Sequence, residues 1–174
     1  MEFRPTDRSD LEVILSIYNS ARRYMSENGN PNQWGEDHPG EKTILSDIEN
    51  GHHFLCTEGD RILACFAFIE GDDPTYETIV KGKWLDDDSY GVIHRIAVLE
   101  HGRGIGSTCI EWCFRRCGNI RIDTHPDNAS MRGLLYKSGF TYCGMIYNSW
   151  GDPRLAFQKT GEHYPLTTRR DVIL

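Results

Sequence analysis

The chain has 174 residues, with 19 Lys and Arg against 26 Asp and Glu and a formal net charge of −7. That balance gives no chain-wide positive field to hold nucleic acid or an anionic membrane surface, and the length suits one domain with its own core. No apolar run approaches the ~20 residues that span a bilayer, and the opening MEFRPTDRSD lacks the basic and apolar regions of an export signal, so a cytoplasmic protein is expected.

Six cysteines are present, but Cys109, Cys113 and Cys117 fall at i, i+4 and i+8, one stripe of a helix, and there is no C-x-x-C pair. Zinc wants tight ligand pairs closed by histidines. The thiols are therefore expected to be small buried hydrophobes in a reducing compartment, with no metal site.

A short strand is predicted over residues 2–5. Ser9 and Glu12 have the spacing of a capping box, and Leu11, Ile14, Leu15, Tyr18 and Met25 start a helical stripe, which predicts a helix over 9–27. NGNPNQWGEDHPG reads as a loop, and Ile44, Leu45 and Ile48 mark a short helix closed by Asn50 and Gly51. The period then changes to two: HHFLCTEGDRILACFAFIEG predicts a hairpin turning at Gly59 and Asp60, and after a polar loop over 71–89, YGVIHRIAVLE predicts a further strand. A helix near 104–117, a strand in NIRIDTH, a helix in NASMRGLLYKSG and a closing pair of strands around NSWGDP complete the order. Without a repeat or linker, one domain over 1–160 and a tail over 161–174 are expected.

Between the strand and the helix, Gly102, Gly104 and Gly106 give G-x-G-x-G. As a structural turn, each glycine would supply a positive φ or a close approach. A dinucleotide fingerprint needs G-x-G-x-x-G, and Ser107 stands where its third glycine should fall, although Asp123 imitates the ribose-binding acid. A third reading places a pyrophosphate on the backbone N–H groups of residues 103–107 at the helix N-terminus.

HGRGIGS resembles the Q/R-x-x-G-x-G/A motif of the GCN5-related N-acetyltransferases, between the strand IAV and a helix, and HPDNASMRGLLYKSGF resembles that family's Asn-led helix ending in Gly-Phe. The order of elements from about residue 2 to 160 is similar as well. The resemblance implies an α/β fold with a mixed, mostly antiparallel sheet of six to seven strands, about four helices, and a central parallel pair that splays apart. It implies acetyl-coenzyme A as cofactor, its pyrophosphate on His101, Gly102, Arg103, Gly104, Ile105, Gly106 and Ser107. Its pantetheine arm would run along Ile96, Ala97 and Val98, with Asn128 as a further contact or a helix N-cap. His101 replaces the usual Gln or Arg, and Arg103 nearby can supply charge.

An alkylamine acceptor, with pKa near ~10.4, must lose a proton before it attacks. His94 is the expected base: it occupies a position similar to that of a histidine proposed as base in some members of the family, and a period of two puts it on one strand face with Ile96 and Val98. The structural alternative pairs it with Asp123. The N–H of Val98 is the expected donor to the carbonyl oxygen that gains charge. Counting five back from Phe140, where the family carries an acidic tyrosine, reaches Leu135. Tyr136 is turned about 100° away and is expected at the surface, leaving water or a residue such as Tyr142 to protonate the departing thiolate.

Trp34, Tyr76 and Trp84, in the loops over 28–40 and 71–89, are expected to wall an acceptor pocket or to cover the core. Asp72, Asp73, Glu77 and the run Asp86 to Asp88 would favour a cationic acceptor or form a solvated loop. The expected function is N-acetylation of a small-molecule amine by direct attack in a ternary complex, with no nucleic-acid or membrane partner and a homodimer left open. The alternative is a non-catalytic acyl-coenzyme A binding module.

Overall fold

The computed structural model describes residues 1–161. The tail expected from 161 onward lies, past Gly161, outside the described residues. The elements are β1 (Glu2–Pro5), α1 (Leu11–Glu27), α2 (Glu41–Glu49), β2 (His53–Glu58), β3 (Arg61–Glu70), β4 (Gly91–Val98), α3 (Ile105–Cys117), β5 (Asn119–Thr124), α4 (Ala129–Lys137), β6 (Thr141–Tyr147) and β7 (Pro153–Thr160). They build one α/β sheet of seven strands in the order β1-β2-β3-β4-β5-β7-β6, antiparallel except for the β4–β5 pair.

The sheet is covered on both faces, which explains why β3, RILACFAFIE, is an almost unbroken apolar run rather than an alternating one. Ile14, Ile17 and Tyr18 of α1 and Ile44 of α2 bury against Leu55, Cys65 and Ala97. On the other face Ile105, Cys109, Ile110 and Cys113 of α3 and Leu135 of α4 bury against Phe66, Ile93, Ile120 and Phe157. The helical stripe of thiols is thus core packing.

The N-terminal cap differs from the expected one. Asp7 and Asp10 form the box: Asp7 Oδ1 accepts from the Ser9 N–H at 2.8 Å and Asp10 Oδ2 from the Asp7 N–H at 2.8 Å. The same carboxylate takes both guanidinium nitrogens of Arg4 at 2.7 and 2.8 Å, tying β1 to the helix. An Asp-x-x-Asp spacing does the work of Ser-x-x-Glu two residues earlier in the chain.

Candidate active site

The splay of the central strands has a local cause. β4 pairs with β5 only at Gly91↔Ile120 and Val92↔Arg121. Against β3, Ala67 faces His94 and Cys65 faces Ala97, so two residues of β4 oppose Phe66 alone. This bulge is built on Arg95, whose φ of 54° is in the left-handed region. The Arg95 guanidinium donates to both carboxylate oxygens of Asp47 on α2, at 3.0 and 2.8 Å, and this pair holds the bend in place.

The bulge also corrects the expected strand face. Ile93, Ile96 and Val98 turn toward α3. Ala97 belongs with α1 and α2, Arg95 reaches α2, and His94 lies edge-on to Tyr76, which buries with Val92. His94 therefore does not share a face with Ile96 and Val98, because one inserted residue shifts the period of two.

The N–H of Leu99 donates to Leu63 of β3 at 2.9 Å, so strand alternation turns the N–H of Val98 away from β3, toward the gap that β5 has left. A cleft of about 950 Å³ opens there, lined by Ile96, Ala97 and Val98. One end reaches His101, Gly102 and Gly104 to Ser107, and the other reaches Trp34, Asp73, His94, Asp123 and Trp150.

The three glycines have separate reasons. Gly102 and Gly104 carry φ of 81° and 73°, which side chains rarely adopt, while a Cβ on Gly106 would come 3.0 Å from Leu134 Cδ2. Gly106 therefore lets α3 approach α4. Gly104 caps α3 without any side-chain cap, and the first intrahelical bond is donated by Thr108 to Gly104 O, so the amides of Ile105, Gly106 and Ser107 precede the ladder. That turn fits a pyrophosphate: bare backbone at the cleft, with the positive end of a 13-residue helix behind it.

His101 stacks on Tyr24 of α1, rings 3.7 Å apart and 13° from parallel, and the Tyr24 hydroxyl lies 3.2 Å from Ser130 Oγ on α4. Sequence reading missed Tyr24. Arg103 does not take over the missing charge. Its guanidinium donates to Glu100 at 2.6 Å and Glu58 at 3.2 Å, Glu100 also holds Arg61, and Arg103 is absent from the cleft lining.

At the other end, His94 Nε2 meets Asp73 Oδ2 at 2.8 Å, the two side chains 18% and 14% exposed. The second oxygen of Asp73 accepts from Thr75 N and Thr75 Oγ1 at 2.9 and 2.6 Å. Burial alone would raise the Asp73 carboxyl, but the hydrogen bonds from His94 and Thr75 outweigh it and hold the group down to about 2. The partner of His94 is thus Asp73 and not Asp123, the partner of the structural alternative, which instead accepts from the Tyr76 hydroxyl at 2.5 Å.

Tyr76 and Trp84 are not in the cleft wall. Tyr76 is wholly buried, stacks with Trp84 at 5.8 Å, and accepts the Trp84 indole N–H on its carbonyl at 3.0 Å. Trp84 covers Arg121, whose guanidinium lies 4.3 Å from its ring. Asp86 is spent on Asn119 and Gln158 at 2.9 and 3.1 Å, whereas Asp72, Glu77, Asp87 and Asp88 are exposed. The 71–89 loop is largely a cover, bridged to the edge strand β6 through Val80 and Met145, and of the acids expected there only Asp73 enters the cleft lining.

Trp34 does line the cleft. Asn128 lines it too, while its Oδ1 caps α4 through the Met131 N–H at 2.9 Å and its Nδ2 donates to Gln33 Oε1 at 2.8 Å. Gln33, unnoticed in the sequence, joins the 28–40 loop to α4 and accepts from Asn30 as well. Leu135 is wholly buried, and Tyr136 is 55% exposed against Phe157, as the helical spacing predicts. Tyr142 also rests on Phe157, outside the cleft lining, so it is not placed to protonate a leaving group.

A splayed parallel pair that ends at a glycine turn and an uncapped helix, with a histidine–carboxylate pair at the far end, defines a coenzyme-binding acyltransferase fold. The Acetyltransferase (GNAT) family matches residues 14–140, and the chain belongs to it. Its fold matches a GNAT-family acetyltransferase from Streptococcus agalactiae at 31% identity and TM-score 0.85, covering 93% of this chain and 96% of that one. A ribosomal-protein-alanine N-acetyltransferase from Brucella melitensis shares the fold at 17% identity and TM-score 0.62, over 92% and 100% of the two chains. So does a Salmonella typhimurium acetyltransferase solved with acetyl-CoA, at 16% and 0.58, over 94% and 95%. None of the curated proteins matches the chain. The acetyl donor of the family is acetyl-CoA, and the glycine turn and the open strand edge fit it.

Proposed function

We propose that this acetyltransferase is an N-acetyltransferase that passes the acetyl group to the amine of a small molecule by direct attack, with donor and acceptor bound together. Acetyl-CoA supplies an activated thioester carbonyl and a thiolate of conjugate-acid pKa near ~8.5, which leaves without strong acid help. The residues of this chain supply the rest. Gly102 to Ser107 hold the pyrophosphate, and the open edge of Ile96 to Val98 pairs with the pantetheine arm. The N–H of Val98, facing the gap, is the donor to the oxygen that gains charge.

His94 removes the amine proton. With Asp73 ionised, a neutral imidazole carries its proton on Nε2, toward the carboxylate, and keeps the Nδ1 lone pair for the acceptor or a relaying water. The charge of Asp73 then stabilises the imidazolium that forms. The observation that carries this reading is the His94–Asp73 pair at the head of the splay, in the same cleft as the glycine turn. The buried thiols of Cys56, Cys65, Cys109, Cys113 and Cys143 suit the reducing cytoplasm that we propose as its compartment.

The test is coenzyme release from acetyl-CoA measured against a panel of amines. Turnover with an amine and mass gain of one acetyl group on its nitrogen are expected. Tight acetyl-CoA binding without turnover of any amine would replace this reading with a non-catalytic coenzyme-binding module.

A further inference from the structure

Trp150 is the most exposed large hydrophobic side chain among the described residues, at 67%, yet it is not on a loose loop. The turn from β6 to β7 is knotted by Asn148, whose Oδ1 accepts from the Trp150 and Asp152 N–H groups at 3.1 and 2.8 Å and whose Nδ2 donates to Asp152 Oδ2 at 3.1 Å. The turn sets the indole over the acceptor end of the cleft, edge-to-face with His38 at 5.2 Å and 84°. His38 is in turn edge-on to Trp34 at 6.3 Å, and Trp34 to the buried Tyr18 at 5.7 Å. A ladder of rings thus descends from the rim to the core, and the fixed tryptophan at its top keeps most of its surface outside that packing, facing solvent.

The charges at this end are already allotted. Among the described residues its cations are Arg95, held by both oxygens of Asp47, and Arg154. The Arg154 Nε lies 3.8 Å from Asp123, and its Nη2 donates to Gln33 O at 3.4 Å. His38 is kept uncharged at neutral pH by burial and by the Arg95 charge. With Arg95 matched by Asp47, the carboxylates Asp73 and Asp123 outweigh the one remaining lining arginine, Arg154, and this excess of negative charge attracts an ammonium group. An acceptor carboxylate reaching either lining cation would have to compete with Asp47 or Asp123, and a flexible polycation would meet rings where it needs acids.

We propose that Trp150, His38 and Trp34 form the acceptor-binding wall and select primary amines carried on a flat, uncharged aromatic body. This rests on the N-acetyltransferase reading above. The ring system of the acceptor lies against the indole of Trp150, and its ammonium group approaches Asp123 and the His94–Asp73 pair before deprotonation.

The experiment compares phenethylamine and tryptamine with n-hexylamine, spermidine and leucine at saturating acetyl-CoA, using the full chain. The aromatic amines should exceed n-hexylamine in kcat/KM by about tenfold, the scale of a good ring–ring contact. Trp150→Ala should bring that ratio toward one through KM, and Trp150→Phe should keep most of it. Preference for spermidine or leucine would overturn the proposal, as would a ratio that Trp150→Ala leaves unmoved. If acetyl-CoA binds and no amine turns over, the N-acetyltransferase reading itself fails. Calorimetric titration of tryptamine then decides on the wall alone: binding that Trp150→Ala abolishes supports it, and absence of binding overturns it.

Discussion

The two ends of the cleft are built in opposite ways. The proposed donor end is dominated by one run of chain, Ile96 to Ser107, backed by α1 and α4, and in that run the backbone is the proposed binding element while the glycines permit it. The acceptor end is gathered from five separate places: Trp34 and His38, Asp73, His94, Asp123, and the turn carrying Trp150. Backbone recognition of an anion needs a conformation, which a few local residues impose. Recognition of a particular amine needs side chains brought together from across the fold.

The largest expected effect breaks the acceptor end. His94→Gln should lower kcat/KM at pH 7 by roughly 100- to 1000-fold, the range of a lost general base, while acetyl-CoA affinity stays near wild type. A pH–rate profile unchanged by the substitution would remove His94 from the chemistry. The matching break at the donor end is Gly104→Val. A β-branched residue is strained at a φ of 73°, so the turn loses its shape and acetyl-CoA affinity should fall about 100-fold, as for two lost charge-assisted bonds. Unaltered affinity by calorimetry would contradict the pyrophosphate assignment.

Asp73→Asn sharpens the comparison, because it leaves His94 in place and takes away only the charge behind it. The rate should fall about tenfold through kcat while acetyl-CoA affinity stays near wild type. Full activity would make the pair merely structural.

Acid should also act unevenly on the molecule. The ring ladder ends on His53, edge-on to Tyr18 and bonded to Thr6 Oγ1 at 2.7 Å, and burial together with the Arg95 charge lowers its pKa to about 4. Between pH 6.5 and 4 the unfolded chain therefore takes up a proton that the folded chain refuses. Stability is full above 6.5 and falls toward pH 4 by up to ~1.4 kcal/mol per unit from this residue. His38, lowered likewise but half-buried, adds less. Denaturant midpoints across this range should show a shallower slope in His53→Gln.

The smallest effect tests whether the donor end is wholly local. Tyr24, from α1, backs His101 and meets Ser130. Tyr24→Phe keeps the stack and loses the hydroxyl contact, so acetyl-CoA affinity should change about two- to fivefold, on the scale of one hydrogen bond. Tyr24→Leu should cost more, and equal effects would show that the ring has no part in shaping the turn.

By itself the sequence determined the element order, the glycine turn, the buried thiol stripe, Leu135 in the core and Tyr136 at the surface. Each of these follows from contacts within one helix turn or from a backbone angle that neighbours dictate. Only the tertiary structure decided which face His94 occupies, because the bulge at Arg95 is visible only in the register against β3 and is held from α2 by Asp47. Only it chose Asp73 over Asp123 as the partner of His94, turned Tyr76 and Trp84 onto the core rather than the cleft, and raised Trp150 over the cleft. Apart from the Tyr76–Trp84 stack within one loop, those outcomes depend on side chains 21 to 112 residues apart in the chain. Periodicity carries no record of such distances, since it reports the face a residue presents and not what the fold sets opposite it.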